Sequence, residues 1–277
     1  MQSQVIISQD LSGVGQVSMA VAVPLIAAFG HQPLLLPTAL LSAHTGFANN
    51  TYFDLSAQMP KILSHWQDLN IKPQAILLGY LGQSALNVWQ KWLPQYANVG
   101  IKVIDPVMGD HGQLYRGFDD TYVQAMQQLV RLATVITPNP TEAQLLLNEP
   151  LSADPLLPKA ATALAQRLAD RFHVDVVLTG VNMVNGRVGV AVVEQGQARL
   201  WQTQRLSGEF FGTGDIFAAV LCGALVEGID LIEASHLAMN FVARALITTL
   251  ADKSDPRFGV AYSAELPWLL HTISTRI

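Results

Sequence analysis

The sequence predicts an α/β fold in which a mostly parallel sheet is covered by helices on both faces and carries an antiparallel hairpin at one edge. Three observations predict it. Short β-branched runs alternate with longer stretches of helical period. Polar residues gather where those runs end, and one late segment alternates about a tight turn. Strict alternation of strand and helix implies a parallel sheet, because parallel neighbours need a crossover and a helix is the usual one.

The first run, "QVIIS", ends at Ser8 with Asp10 just beyond, and a helix is expected over about 16–29. A second helix is expected over 55–68, where "AQMPKILSHW" is amphipathic. Its short length and single lysine suit a surface helix or subunit contact rather than a membrane helix. "QAILLG" then ends at Gly79 and Tyr80, and "GIKVID" at Asp105, before a helix over 119–130. "ATVIT" ends at Thr137 with Asn139 beyond, before a helix over 140–147. The proline-rich stretch "NEPLSADPLLPK" (148–159) reads as an exposed loop. A helix over 159–172 leads to "VDVVLT", which is expected to end at Thr179 and Gly180. From 187 to 203, "RVGVAVVEQGQARLWQT" alternates about Gln195-Gly196, the pattern of a hairpin. Helices then dominate to the end. No repeat, low-complexity tract or linker interrupts the chain, so a single domain over 1–277 is expected.

The chain's 277 residues, 50% hydrophobic and 13% charged, are enough to bury a large core. With 16 Lys and Arg against 21 Asp and Glu the net charge is −5, and the bases are scattered. No stripe tracks a phosphate backbone, so nucleic acid is not an expected partner. The start "MQSQVIISQD" lacks a basic region followed by a long apolar run, and no segment reaches about twenty uninterrupted apolar residues. The expectation is a protein neither exported nor anchored, working in the cytoplasm. The lone Cys222 excludes an internal disulfide and a cysteine-built zinc site, and is expected as a quiet core residue. Trp66, Trp89, Trp92, Trp201 and Trp268 form no stacking platform and are expected in packing.

Ser8, Asp10, Tyr80, Asp105, Asn139 and Thr179 thus all stand at carboxyl ends of predicted strands. In an open parallel sheet those ends line one edge, and ligands bind in the crevice between the diverging loops. The motif "GTGD" adds Gly212, Thr213, Gly214 and Asp215 directly before an alanine-rich apolar helix. Two glycines let successive N–H groups turn toward one point, at a helix end carrying about half a positive charge. That is an anion cradle with Asp215 at its lip, placed to take a proton from a hydroxyl attacking the bound anion. The same residues also read as a tight turn with Asp215 as N-cap. No lysine follows the glycines, so this is not a Walker A loop, and "SGVGQVS" (12–18) lacks the third glycine of a dinucleotide fingerprint. "DPVMGD" (105–110) and "TPNPTEAQLLL" (137–147) supply Asp105, Asp110, Asn139 and Glu142. Such sparse oxygen ligands suit magnesium on nucleotide phosphates, while Asn139 and Glu142 equally match a capping box. His44 has a plain alternative as a satisfied loop histidine, and Tyr80 as a core aromatic with its hydroxyl at the rim.

In order and spacing, "DPVMGD", "TPNPTEA" and "GTGDIFAA" resemble motifs of the ribokinase superfamily, specifically its vitamin kinases, which phosphorylate hydroxymethyl groups. "DLSGVGQVS" (10–18), "PTALLSAHTGF" (37–47) and "LLGYLG" (77–82) narrow the resemblance to pyridoxal kinases, and to a bacterial group often called pyridoxamine kinases. It spans about residues 5–270. The resemblance implies a ribokinase-like three-layer α/β/α sandwich. It implies Asp215 as catalytic base, with the N–H groups of Gly212, Thr213 and Gly214 stabilising the transferring phosphoryl group. Asp105 and Glu142 would lie near Mg2+ and the nucleotide phosphates with Asn139 alongside, and Thr179 and Gly180 would approach ATP. Ser8, His44, Thr45 and Tyr80 would surround the pyridine ring, with Asp10 at the same end, and Asp110 would open a lid over ATP. ATP and Mg2+ are the implied cofactors, a monovalent cation such as K+ is an open further requirement, and a homodimer is implied.

The first loop, "SQDLSGVGQ", lacks the longer serine- and histidine-bearing form of the better-known pyridoxal kinases and is closer to the hydroxymethylpyrimidine kinases. The lid segment "GDHGQLYRGFDD" is short. Three functions are therefore carried: a kinase of pyridoxal, pyridoxamine or pyridoxine; a hydroxymethylpyrimidine kinase; and a non-catalytic vitamer- or nucleotide-binding carrier. Retention of Asp215 and the magnesium carboxylates argues against the third.

Overall fold

The computed structural model describes residues 2–252 and 255–275. The chain begins β1 (Gln4–Ser8), β2 (Leu11–Ser12), α1 (Ser18–Ala28), β3 (Gln32–Leu35), β4 (Ala39–Leu41), β5 (Tyr52–Asp54) and α2 (Met59–Asp68). It continues β6 (Ala75–Leu78), α3 (Gln83–Trp92), β7 (Ile101–Ile104), β8 (Gly109–Asp110), β9 (Gln113–Leu114), α4 (Asp120–Val130), β10 (Val135–Ile136) and α5 (Pro140–Leu147). It ends α6 (Pro158–Phe172), β11 (Asp175–Asn182), β12 (Arg187–Glu194), β13 (Gln197–Gln204), α7 (Thr213–Val226), α8 (Leu231–Asp252) and α9 (Leu266–Ser274).

Eight strands form the central sheet in the order β13-β12-β11-β10-β7-β6-β1-β3, parallel from β11 to β3 and antiparallel among β11, β12 and β13. Alternating side chains divide the core. Ile6, Ile76, Ile104, Ile136 and Val176 face α2 to α6, while Val5, Ile7, Leu77, Val103 and Val177 face α1, α7, α8 and α9. Both faces of each central strand are thus dry, which is why these strands read as continuous apolar runs rather than alternating ones. The hairpin turns at Gln195 (φ 49°) and Gly196 (φ 79°); two left-handed residues in succession match the right-handed twist of the flanking strands.

Several boundaries differ from the expectation. Strand β11 does not end at Thr179 and Gly180; it runs on to Asn182 through a register irregularity between Leu178 and Val181, with Gly180 at φ 62°. The polar pair marks a bulge rather than an end. Helix α3, the edge strand β3 and a small sheet of order β2-β4-β5 were not expected. The small sheet stands beside the carboxyl end of β1, because Asp10 and Gly13 lead directly into and out of β2.

Candidate active site

Parallel register sets the strand ends in one row. Ser8 pairs with Leu78, Leu78 with Ile104 and Ile104 with Ile136, so the chain leaves the sheet together at Gln9, Gly79, Asp105 and Thr137. The first turn of α7 meets this row: a Cβ on Gly214 would lie 3.6 Å from Asp105 Oδ2.

Gly212 is the N-cap of α7, with φ 83° and ψ 2°. A Cβ there would come within 2.2 Å of the Gln16 carbonyl oxygen, so both conformation and space require glycine. Asp215 is the third helical residue and not the cap, and α7 has no side-chain cap, which removes the plain alternative for this carboxylate. Gly214 corrects an expectation in the other direction: its φ lies outside the left-handed region, so its lack of a side chain matters only for the approach of a ligand.

Burial pushes the Asp215 carboxyl up to about 6; the Ser18 N–H facing it acts downward and the charge of Asp10 upward. Asp105 is 8% exposed, and burial followed by the Asp215 charge pushes it up to about 8. The Thr137 hydroxyl lies close enough to temper that rise but makes no hydrogen bond of standard geometry. Glu142, 3% exposed, is raised well above the usual carboxylate range by burial and then by Asp105.

Both readings of the Asn139 and Glu142 pair hold at once. Asn139 Oδ1 accepts from the Glu142 N–H at 3.0 Å and Glu142 Oε2 from the Asn139 N–H at 2.9 Å, a complete capping box. The other carboxylate oxygen, Oε1, accepts from the Met108 N–H at 3.1 Å, and Asn139 Nδ2 donates to the Gly109 carbonyl at 2.8 Å. Thr141 Oγ1 accepts from the Gly112 N–H at 2.9 Å. The start of α5 therefore holds the β8-β9 lid hairpin. Asp110 opens that hairpin on the exposed side, accepting from the His111 N–H at 2.7 Å. Thr179 is tied to Pro138, its N–H donating to that carbonyl at 2.8 Å, and Gly180 faces open space.

At the other end, Ser8 is fully buried and its hydroxyl accepts from Trp89 Nε1 at 2.8 Å. Trp89, expected only in packing, thus also orients a site residue. His44 has both ring nitrogens engaged by the chain: Nε2 donates to the Arg257 carbonyl at 2.5 Å and Nδ1 accepts from the Gly46 N–H at 3.1 Å. Thr45 is exposed on the same loop. Tyr80 is half-buried beside Phe118, its hydroxyl pushed up to about 12 by burial and then by Tyr52 and Asp10. Asp10 is buried, accepts from Ser12 Oγ at 2.8 Å, and is raised mainly by burial.

Sequence reasoning missed Ser18, Tyr52 and Tyr115. Burial, and then the charges of Glu142, Asp110, Asp105 and Asp215, push the lid phenol of Tyr115 upward. Its only signal was membership of the lid segment.

Among the described residues no group of three or more His, Cys, Asp or Glu is arranged to hold a metal ion. Asp105 and Glu142 nevertheless fit one hard cation shared with phosphate oxygens: both are buried carboxylates, Glu142 in the repulsive field of Asp105 and Asp105 in that of Asp215, with no cationic side chain among the groups shifting them. A half-buried carboxylate near neutrality at a helix start with no side-chain cap, beside two buried acids, is an arrangement that can carry phosphoryl transfer. The family model for phosphomethylpyrimidine kinase matches residues 32–256. The chain belongs to that family.

Within the family, it is 31% identical over 274 residues to a pyridoxine/pyridoxal/pyridoxamine kinase of Bordetella avium, covering 92% of this chain and 90% of the relative. A pyridoxal kinase of Lactobacillus plantarum superposes with a TM-score of 0.91 at 33% identity, covering 99% of both chains. A Bacteroides thetaiotaomicron chain solved with pyridoxal and bearing the phosphomethylpyrimidine-kinase name superposes at 0.90 and 32% identity, covering 99% of this chain and 96% of its own. These neighbours show the expected ribokinase-like α/β architecture.

Proposed function

We propose that the chain transfers the γ-phosphoryl group of ATP to the 5′-hydroxymethyl group of pyridoxal, pyridoxamine or pyridoxine, yielding the 5′-phosphate of the vitamer. The observation that carries the reaction type is Asp215: a half-buried carboxylate held at about 6, at the third position of a helix whose cap must be glycine. A base of that pKa is ionised at neutral pH yet basic enough to take a proton in the transition state. The vitamer reading rests on the relatives named above and on their likeness over nearly the whole chain.

In this reading Asp215 accepts the proton of the attacking hydroxyl, and the N–H groups of Gly212, Thr213 and Gly214 meet the transferring phosphoryl group. Ser8, Asp10, His44, Thr45 and Tyr80 form the vitamer end, where the ring lies. Asn139, Thr179, Gly180 and Asp110 form the nucleotide end. Asp105 and Glu142 would hold Mg2+, which supplies charge neutralisation on the phosphates. The lid hairpin excludes water from the reacting atoms. Use of ATP makes the cytoplasm the compartment of the reaction. Two copies associate, and the exposed Leu40, Tyr52 and Phe53 of the small sheet are the apolar surface available for it; light scattering at twice the 30.0 kDa chain mass tests this.

ADP release across the three vitamers and hydroxymethylpyrimidine, with and without Mg2+, tests the function. Magnesium-dependent turnover of a B6 vitamer is the expected result. Preferred turnover of the pyrimidine would replace the substrate, and binding without turnover would leave the carrier.

A further inference from the structure

His44 is buried at the vitamer end of the crevice, with its imidazole wedged between two stretches of backbone. A Cβ on Gly15 would come within 2.4 Å of ring atom Cδ2, and one on Gly46 within 2.6 Å of Cε1, so both glycines make room for the ring. Nε2 donates to the Arg257 carbonyl at 2.5 Å and Nδ1 accepts from the Gly46 N–H at 3.1 Å. A neutral imidazole has one donor and one acceptor nitrogen, so neither is left for a ligand. The rings of Phe47 and Phe211 pack on it at centroid distances of 4.8 and 4.7 Å, and Phe258 meets Phe47 at 5.3 Å. Phe211 directly precedes Gly212, the cap of α7. That cap is also held from the other side. The Gln16 carbonyl oxygen abuts the Cα atoms of Gly212 and Gly259, where added Cβ atoms would come within 2.2 and 2.7 Å, and the Gln16 N–H donates to the Phe258 carbonyl at 2.8 Å. One side chain thus joins the turn after β2, its own loop, the residue before the α7 cap and the turn after α8.

We propose that His44 is a positioning residue: it frames the vitamer end without bonding to the vitamer, ties its own loop and the turn after α8 to Phe211, and so sets where the α7 cap holds Asp215 against the attacking hydroxyl. A displacement of about 1 Å at the reacting atoms can cost about 100-fold in rate, so a ring that touches no substrate can govern kcat. The inference rests on the kinase reading, with Asp215 as the base.

Three variants test it. His44→Ala removes the wedge, His44→Gln keeps a donor of the right length for the Arg257 carbonyl, and Phe211→Leu loosens the ring contact from the side of the cap. For His44→Ala the expected result is a kcat lowered about tenfold, by the same factor for pyridoxal, pyridoxine and pyridoxamine, with the KM of each vitamer changed much less. Phe211→Leu should lower kcat in the same pattern, and His44→Gln should recover part of the loss. His44→Ala combined with Phe211→Leu should lose less than the product of the single losses, since both act on one contact. Should His44→Ala not fold, His44→Gln combined with Phe211→Leu supplies the same cycle. A raised vitamer KM at unchanged kcat would make His44 a ligand, and a lowered Tm with wild-type kcat would make it structural only; either result overturns the proposal, as do fully multiplied losses in the double variant. No ADP release by the wild-type protein with any vitamer or pyrimidine would instead overturn the kinase reading itself.

Discussion

At the residue scale, the two glycines of "GTGD" have different jobs, and their alanine variants should part company. Gly212→Ala forces a Cβ against the Gln16 backbone at a left-handed position. It should displace the α7 cap, lower Tm, and remove most turnover together. Gly214→Ala has a helical backbone and room at 3.6 Å from Asp105, and alanine favours helix by up to about 1 kcal/mol. Its Tm should hold or rise while KM for ATP increases, because the methyl group stands where phosphate approaches. Thermal melts beside steady-state kinetics separate the two; equal damage from both would mean that Gly214 is a structural glycine after all. Similarly, Asp215 differs from an ordinary cap in a way the sequence could not display, since cap and third-residue positions share the same preference for acids.

At the scale of elements, the start of α5 works as a clamp on the lid hairpin. Asn139→Ala removes one cap bond and the bond to the Gly109 carbonyl, both near 3 Å. The expected cost is about 1–2 kcal/mol in stability, with a KM for ATP raised more than that for vitamer; equal rises would place the clamp elsewhere. Sequence alternation revealed the five parallel strands that build the crevice floor, the terminal hairpin and helices such as α5, whose bounds match the expected 140–147. It missed α3, although Ala85, Leu86 and Trp89 recur at helical spacing among Gln83, Asn87, Gln90 and Lys91, an amphipathic pattern that was legible. It also missed β4 and β5, three residues each, because pairing made across the chain defines such strands and no local run does. Strand β11 appeared shorter than it is because Thr179 and Gly180 look like an ending and are a bulge. The candidate site was legible as polar strand ends, but Ser18, Tyr52 and Tyr115 were not singled out: Ser18 and Tyr115 lie inside quoted segments whose other residues carried the argument, and Tyr52 lies on a strand no local run defines.

At the scale of the whole molecule, both cores pack on one sheet, and we propose that they unfold together in one thermal transition. Three carboxyls with raised pKa values, Asp215 at about 6, Asp105 at about 8 and Glu142 above the usual range, sit in that assembly. A carboxyl raised on folding contributes stability below its unfolded pKa, and that contribution is lost as pH rises through the folded value. The ligand-free Tm should therefore fall between about pH 5 and pH 8, by about 2–4 °C for each kcal/mol lost, and Mg-ATP should restore it at the upper end. A Tm that climbs steadily over that range without ligand would contradict the acid cluster. The central claim is that this acid-lined crevice is a kinase site driven by Asp215, and one variant tests it most directly. Asp215→Asn keeps shape and removes charge, so vitamer-dependent ADP release should fall about 10²–10⁴-fold while Tm and ATP binding stay close to wild type. Turnover undiminished in a normally folded Asp215→Asn protein would contradict the account.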